Sequence, residues 1–376
     1  MAGLYLHIPF CKQACHYCNF HFATSLRQKP ELVQAMQKEL SGKAEQWSSH
    51  SFETIYFGGG TPSLLSPMEL EELLSTIHQR YTIGPNAEIT LEANPDDISE
   101  ASLTQWKQLG INRLSIGIQS FANTDLEWMN RAHNAEQATQ ALRGALEYFP
   151  NLTADLIYGT PGLTDAQWIQ NIETLTQLQV PHISAYALTV EPKTPLDKQI
   201  RLQQKPATDS EQQARQFLIG MDKLRNAGYE HYEISNFAKP GHHSKHNSSY
   251  WKGIPYLGIG PSAHSYQPPI RSWQVANNPQ YIERIETGLF DFESETLTPI
   301  QQLNERIMIA LRTQEGLSVN EIAPTILDSW KPMLNRYEQE KLMLIENGSI
   351  RLTDFGKLQA DGIAAALFLE EGDQMS

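Results

Sequence analysis

The first two thirds of the sequence alternate between short strand-like and longer helix-like segments, and this alternation limits the possible folds more than any other feature. The strand-like segments are apolar and rich in β-branched or aromatic residues, and they cover 4–8, 54–59, 88–94, 113–119, 154–159 and 183–189. Helical periodicity follows each of them, over 30–47, 67–80, 99–109, 135–148, 165–178 and 209–227. Six such units predict parallel strands joined by helices, and hence an α/β fold built on a partial (β/α)6 TIM-type barrel.

The character of the sequence changes twice after the sixth unit. Residues 229–296 are less regular, and three amphipathic helical stretches follow, over 303–313, from 318 onward and over 334–345. An Asn-Gly pair at 347–348 is typical of a tight β-hairpin turn. These features predict a barrel over 1–228, an intervening segment over 229–296, and a small winged-helix-like C-terminal domain over 297–376.

Composition and charge narrow the function and the location. The formal net charge of −14 argues against a nucleic-acid-binding protein, which would present a basic face. The longest apolar run, at 362–369, falls far short of the roughly 20 residues that span a bilayer. The N-terminus lacks the basic segment of a signal peptide. We therefore expect a cytoplasmic protein whose thiols stay reduced.

All three cysteines of the chain lie within eight residues, at Cys11, Cys15 and Cys18. A structural zinc site would need a fourth ligand, which His7, His16 or His21 would have to supply. Free core cysteines are less favoured because the residues between them are polar. Thiolates also hold cubane iron–sulfur clusters, normally through four cysteines, so three would leave one iron open for a ligand. The residues favour the cluster and leave zinc as an alternative.

Polar or glycine-rich residues follow the other predicted strands as well. The run "GGGTP" at 58–62 would let backbone approach a ligand closely, although an ordinary strand–helix turn has the same composition. Glu92 at a strand end could accept hydrogen bonds from a ligand or lie on the surface. Gln119 and Arg131 belong to the next unit, and Arg131 could pair with an anion or begin a solvated helix. Asp155 lies within an apolar strand, where a carboxyl group needs a partner.

The Cys-x3-Cys-x2-Cys spacing at the end of a first βα strand resembles that of the radical S-adenosylmethionine (SAM) enzymes. Tyr17 fits the aromatic residue that typically precedes the third cysteine in that family. The resemblance implies a [4Fe-4S] cluster on Cys11, Cys15 and Cys18. It also implies that the open iron chelates SAM, which the cluster cleaves to a 5′-deoxyadenosyl radical.

Six further motifs are similar to those of the branch that contains oxygen-independent coproporphyrinogen III oxidase and related heme chaperones. They are "YLHIPFCKQACHYCNF", "YFGGGTPSLL", "LEANPDD", "RLSIGIQSF", "NRAHN" and "ADLIYGTPG". By this resemblance, the residues around SAM are Tyr5, Tyr17, Gly59, Glu92, Gln119, Arg131 and Asp155. Those that match positions near a second SAM are Gly60, Thr61, Ala187 and His264.

Three departures favour a heme chaperone over the oxidase. The oxidase carries a long extension before its cluster motif, whereas Cys11 here follows Met1 closely. Phe20 stands where the oxidase has an additional cysteine. The stretch "HNSSYW" from His246 to Trp251 fits the His-Asn-x-x-Tyr-Trp pattern of the chaperones. The oxidase, which decarboxylates porphyrinogen propionates, remains the alternative.

The resemblance therefore predicts a protein that binds heme and delivers it to acceptor proteins, respiratory membrane proteins among them, and that could form a homodimer. His246 would ligate heme iron through a neutral imidazole, although a histidine in a loop more often serves only as a hydrogen-bonding residue. His242, His243 and His264 are rivals for this role.

Overall fold

A computed structural model describes residues 1–370 of the chain. Six parallel strands form the middle of a twelve-stranded sheet, and they pair consecutively in chain order. They are β1 (Ala2–Ile8), β2 (Ser51–Gly59), β3 (Thr82–Ala93), β4 (Arg113–Gln119), β5 (Leu152–Tyr158) and β6 (His182–Ala187). The predicted partial barrel is confirmed. The predicted 113–119 strand agrees with β4 at both ends, and several others begin earlier than predicted.

Helices connect these strands, and the longer ones cover one face of the sheet. They are α1 (Lys29–Lys43), α2 (Pro67–Arg80), α3 (Glu100–Gln108), α4 (Asn123–Met129), α5 (Ala135–Tyr148), α6 (Asp165–Gln177), α7 (Pro195–Arg201) and α8 (Ser210–Asn226). In α2, Ser66 and Glu69 form a reciprocal capping box at the N-terminus. Its Leu70, Leu73 and Ile77 are buried, as the period of 3.6 residues requires. The short helices α4 and α7 are absent from the sequence prediction.

The less regular segment extends the same sheet at both edges and adds two helices. Its elements are β7 (Glu230–Glu233), β8 (Asn236–Ala238), α9 (Lys245–Trp251), β9 (Tyr256–Ile259), β10 (His264–Gln267), β11 (Ile270–Trp273), α10 (Asn278–Glu286) and β12 (Glu293–Thr296). On one side β8 and β7 continue from β6, and on the other β9 pairs in parallel with β1 before β10, β11 and β12. The expectation that His246 lies in a loop is wrong, because α9 contains it.

The C-terminal part has its own hydrophobic core around Ile307, Trp330 and Ile350. It contains α11 (Pro299–Leu311), β13 (Leu317–Ser318), α12 (Pro324–Gln339), β14 (Met343–Glu346), β15 (Ser349–Leu352), α13 (Asp354–Lys357) and α14 (Ala360–Ala366). The predicted hairpin joins β14 to β15, and Asn347 and Gly348 adopt φ angles of 52° and 75° in its turn.

One C-terminal helix was predicted wrongly. Residues 334–345 do not form a separate third helix, because α12 runs without interruption to Gln339 and the chain then turns into β14. Lys341, with a φ of 58°, makes that turn. The division into three domains at residues 228 and 296 stays a prediction, and its last six residues lie outside the described part. None of the helices in residues 1–370 combines the length and the hydropathy needed to span a bilayer.

Candidate functional site

The polar residues predicted from the strand ends line the face of the sheet opposite the helices, which we call the inner face. Strand register places Tyr5 beside Tyr56, and Glu92 beside Ser115. Asp155 lies on the neighbouring strand β5, beside Ser184 of β6. Because alternate residues of a strand share a face, Tyr5, Tyr56, Glu92 and Asp155 converge on this surface.

The cysteine loop follows β1 at the carboxyl end of the strands. Cys11, Cys15 and Cys18 are unpaired and half-buried, and the Cys18 N–H donates to the Cys15 carbonyl over 3.3 Å. Burial, followed by the neighbouring thiols, raises the pKa of Cys18 to about 11, and burial also raises the pKa of Cys11. Both thiols are therefore protonated near neutral pH in the metal-free protein. Binding a metal would release these protons.

The arrangement of these thiols suits a cluster. Within residues 1–370, no three or more Cys, His, Asp or Glu side chains converge closely enough to hold one metal ion. A cubane does not require such convergence, because each cysteine binds a different iron. Three cysteines on one short loop would supply three of the four irons with a ligand. When bound, such a cluster supplies an electron to a ligand on its fourth iron.

Arg131 joins the cysteine loop to β3 and β4. Its Nη1 donates to Cys15 Sγ over 3.3 Å, and its Nη2 donates to Asn94 Oδ1 over 2.7 Å and to the Gly117 carbonyl over 2.8 Å. Burial alone would lower the pKa of Arg131, but the partners Tyr17 and Cys15 more than offset this and raise it. Its Nε is buried with no partner among the described residues, so it can still donate to a ligand. Arg131 is therefore not a solvated residue at a helix start.

The glycine run packs against the start of the cysteine loop. Gly60 N donates to the Ile8 carbonyl over 2.9 Å. A Cβ at Gly60 would lie 2.7 Å from the Phe10 carbonyl oxygen, and Gly59 has a φ of 105°. Thr61 is buried and hydrogen-bonds to Cys11. The run therefore needs glycine for backbone contact with the cysteine loop, whether or not it also contacts a ligand.

Two carboxyl groups on the inner face have raised pKa values. Burial raises the pKa of Glu92 to about 7; the hydrogen bond from Tyr56 lowers it in part, and the charge of Asp155 raises it further. Burial also raises the pKa of Asp155 to about 6, which a hydrogen bond from Ser184 lowers in part. Each carboxyl group therefore exchanges a proton near neutral pH, which suits a site for a cationic or hydroxyl-bearing ligand.

The remaining predicted residues differ in accessibility. Gln119 is largely buried at the end of β4 with a φ of 68°, a conformation uncommon for a residue with a side chain. Ala187 is exposed at the end of β6. His264 is exposed at the start of β10, and its ring stacks on Trp273 with centroids 5.9 Å apart.

His246 is buried on the inner face, with 2% of its surface exposed. Its Nδ1 lies 2.7 Å from Thr54 Oγ1, and its Nε2 lies 2.9 Å from the Tyr250 hydroxyl. Burial lowers its pKa to about 3, so the ring is neutral. Both ring nitrogens are thus engaged by hydroxyl groups. The predicted ligation of iron by His246 would break one of these bonds.

Two lysines that the sequence interpretation did not select also hold the cysteine loop. Lys205 Nζ lies 2.8 Å from His16 Nδ1, and its charge lies over the Trp128 ring. Lys12 Nζ lies 2.8 Å from Asp96 Oδ2. Lys12 and Asp96 both belong to the quoted motifs and could have been paired from them. Lys205 follows α7, where no motif or periodicity pointed to it.

The fold and the cysteine loop define a radical SAM protein, and comparison with known proteins agrees. Residues 5–175 match the radical SAM superfamily, and residues 297–358 match the HemN C-terminal domain. The structure of HemN, the coproporphyrinogen III oxidase of Escherichia coli, superimposes with a TM-score of 0.85 over 98% of this chain and 90% of that one. At 22% identity, this match establishes the fold alone.

Sequence relatives identify the family within that superfamily. The heme chaperone HemW of Bacillus subtilis is 34% identical over 381 residues, which cover 99% of this chain and 100% of that protein. HemW of Synechocystis sp. is also 34% identical, over 94% of this chain and 84% of that protein. The chain belongs to the HemW family of radical SAM proteins. Membership of the superfamily implies a [4Fe-4S] cluster and SAM.

Proposed function

We propose that this protein is a heme chaperone, which binds heme and transfers it to acceptor proteins. The observation that carries the proposal is full-length similarity to proteins named heme chaperone HemW, at 34% identity in two bacteria. Phe20 supports it, since the position at which the oxidase has a further cysteine is here an aromatic side chain that is 64% exposed.

We also propose how the cofactors are held. Cys11, Cys15 and Cys18 ligate the cluster, and Arg131 donates to the sulfur of Cys15. Tyr5, Tyr17, Gly59, Glu92, Gln119 and Asp155 surround SAM, and Gly60, Thr61, Ala187 and His264 lie near a second SAM. The carboxyl groups of Glu92 and Asp155 are half-buried and have raised pKa values, which suits ligand groups that donate hydrogen bonds.

The acceptors belong to the proposal as well. The acceptors we expect are respiratory membrane proteins that contain heme, and we do not expect nucleic acid as a partner. A homodimer and a cytoplasmic location remain predictions of the sequence.

Heme titration against the anaerobically reconstituted protein tests the proposal, alongside an assay of coproporphyrinogen decarboxylation. Reconstitution should yield about four irons per chain together with sulfide, and heme should bind saturably without decarboxylation of coproporphyrinogen. Decarboxylation without heme binding would replace the chaperone with the oxidase. One zinc per chain and no sulfide would overturn the cluster.

A further inference from the structure

The segment that follows α8 contributes two histidines to the inner face, one of them buried and the other exposed. His246 is buried, and hydroxyl groups of Thr54 and Tyr250 engage both of its ring nitrogens. His264 is exposed, and among the described residues its ring nitrogens have no hydrogen-bond partner. An iron ligand needs a free nitrogen that its metal can reach, and of these two histidines His264 offers one.

The inner face continues beyond β1 as a row of aromatic side chains. Strand register places Tyr5 of β1 beside Gly258 of β9, two residues from Tyr256. Tyr256 pairs with Tyr266 of β10, so both share the face of Tyr5. His264, two residues before Tyr266, lies on this face as well.

The next strand, β11, completes the surface. His264 pairs with Trp273, and Tyr266 pairs with Arg271. The Arg271 guanidinium lies 5.8 Å from the centroid of the Tyr266 ring and bonds to Glu305 over 2.8 Å. The aromatic rings of this row, Tyr256, Tyr266 and Trp273, are half-buried, so each keeps part of its ring accessible.

The row of aromatic side chains has a gap at Gly258, where close contact with the backbone of β10 excludes a side chain. A Cβ at Gly258 would lie 2.1 Å from the carbonyl oxygen of His264. Only glycine fits at position 258, so no side chain lies between Tyr5 and His264 on the inner face. The result is a surface of flat rings with one accessible imidazole at its edge.

We infer that heme binds on this aromatic surface of β9, β10 and β11, with His264 as an axial ligand of its iron. The inference rests on the proposed heme function, assigns its site, and replaces the second-SAM role proposed above for His264. A porphyrin is a large flat apolar ring, and aromatic side chains supply matching area with a preferred stacking geometry. Histidine is the common axial ligand of heme iron.

The electrostatic surroundings agree with this assignment. Burial, and then the charge of Arg271, lower the pKa of His264. The ring is therefore neutral at physiological pH, which is the form that binds a metal. Arg271 is also the cation of this surface, and it can attract a heme propionate in competition with Glu305.

Ferric heme titration of the full-length protein tests the site, with the Soret band and the dissociation constant as readouts. His264→Ala should lose the Soret position of the histidine-ligated complex, and added imidazole should restore it. Removing a group that only hydrogen-bonds to a metal ligand lowers metal affinity roughly 10–100-fold. Removing the ligand itself should therefore weaken heme binding by about tenfold or more. Trp273→Ala should weaken binding while the Soret position stays unchanged.

Two further variants act as controls. His246→Ala should retain the Soret position, and His78→Ala, which removes an exposed imidazole from the outer helix α2, should match the wild type. A His264→Ala protein with wild-type spectrum and affinity would overturn the inference while leaving the heme function intact. Loss of the Soret position in His246→Ala would mean that the buried His246, and not His264, ligates the iron. A wild-type protein that shows no saturable Soret change would refute the heme function itself, and this site with it.

Discussion

The Tyr56 hydroxyl donates to Oε1 of Glu92 over 2.7 Å, so a half-buried carboxyl group on β3 has a neutral partner and, within residues 1–370, no ion-pair partner. A neutral donor offsets only part of the cost of burying a charge. This is why the pKa of Glu92 rises from its ordinary value of 4.5 to about 7. Asp155, on the same face, also has serine donors, and burial raises its pKa although the charges of Arg113 and Arg131 lower it in part.

The raised pKa of Glu92 predicts a specific pH dependence of stability. The folded protein holds the Glu92 proton more tightly than the unfolded chain does. The stability contributed by that proton is therefore complete below pH 4.5 and is lost as the pH rises to about 7. Against Glu92→Gln, the wild type should lose at most about 3 kcal/mol of unfolding free energy across that window. Urea unfolding of the ligand-free proteins measures this, and a difference that stays constant with pH would contradict it.

Arg131 should tune the reduction potential of the cluster. Hydrogen bonds to cluster sulfurs favour the reduced state, and Arg131 Nη1 donates to Cys15 Sγ. Arg131→Met should therefore lower the midpoint potential of the reconstituted protein by tens of millivolts, and Arg131→Lys, which keeps the charge, should lower it less. Arg201→Met provides the control, because Arg201 is an exposed arginine on α7 whose ion pair within residues 1–370 is with Asp197. Equal potentials for all four proteins would exclude a role for this donor.

Burial of His246 predicts a structural role that can be separated from any heme role. The variant His246→Ala leaves the hydroxyls of Thr54 and Tyr250 without their partner and removes the ring that stacks on Tyr56 at 4.8 Å. It should lower the unfolding free energy by about 3 kcal/mol, whereas the exposed control His78→Ala should stay within about 0.5 kcal/mol.

The loss in His246→Ala should also depend on pH. Its ring has a pKa of about 3 when folded, against 6.5 ordinarily, so the stability of the neutral ring is complete above pH 6.5. The difference from the wild type should shrink as the pH falls from 6.5 towards 3. A small loss that is independent of pH would mean that these bonds do not hold α9 in place.

The sequence was sufficient to predict elements with a strong internal pattern. The strand at 113–119 was predicted at its observed bounds from a short apolar, β-branched run, which suits a strand that is buried on both faces. The helix at 67–80 was predicted at its observed bounds from the 3.6-residue period, which comes from burial of one helical face. The seven-residue helices α4 and α7 were missed. Their buried Met129 and Leu196 pack with Tyr17 of the cysteine loop, so contacts distant in sequence stabilise them.

The residues of the candidate site also include some that could be predicted from the sequence and some that could not. Cysteine spacing singled out the loop of Cys11, Cys15 and Cys18 as the predicted cluster site, since metal chemistry restricts spacing. The burial of His246 could not be read from the polar stretch "KHNSSYW". Ser244, which precedes the stretch, caps the helix, and the Glu88 carboxylate accepts from His246 N over 3.1 Å. Lys205 reaches His16 from 189 residues away. Pairings at such a distance follow from the fold and not from local residue pattern.

A buried ion pair on α1 should control the loop that leads to His264. Lys43 Nζ lies 3.1 Å from Glu39 Oε1, and Glu39 accepts from Gly260 N over 2.9 Å and from the Tyr281 hydroxyl over 2.6 Å. Burial would lower the pKa of Lys43, but the charges of Glu39 and Asp291 more than offset this and raise it. Glu39 thus ties the start of the 260–264 loop to α1, and Lys43 balances its charge.

Removing only the cation should therefore be costly. Lys43→Met leaves the Glu39 carboxylate buried without its charge partner, and this should lower the unfolding free energy by about 3–5 kcal/mol. Amide hydrogen exchange at residues 258–265 should accelerate in the same variant, because the Gly260 N–H bond depends on an ordered Glu39. Lys38→Met is the matched control on the same helix, since its exposed pair with Glu286 spans 3.7 Å and should contribute less than about 1 kcal/mol. If the two lysine variants unfold alike, the buried pair does not hold the loop.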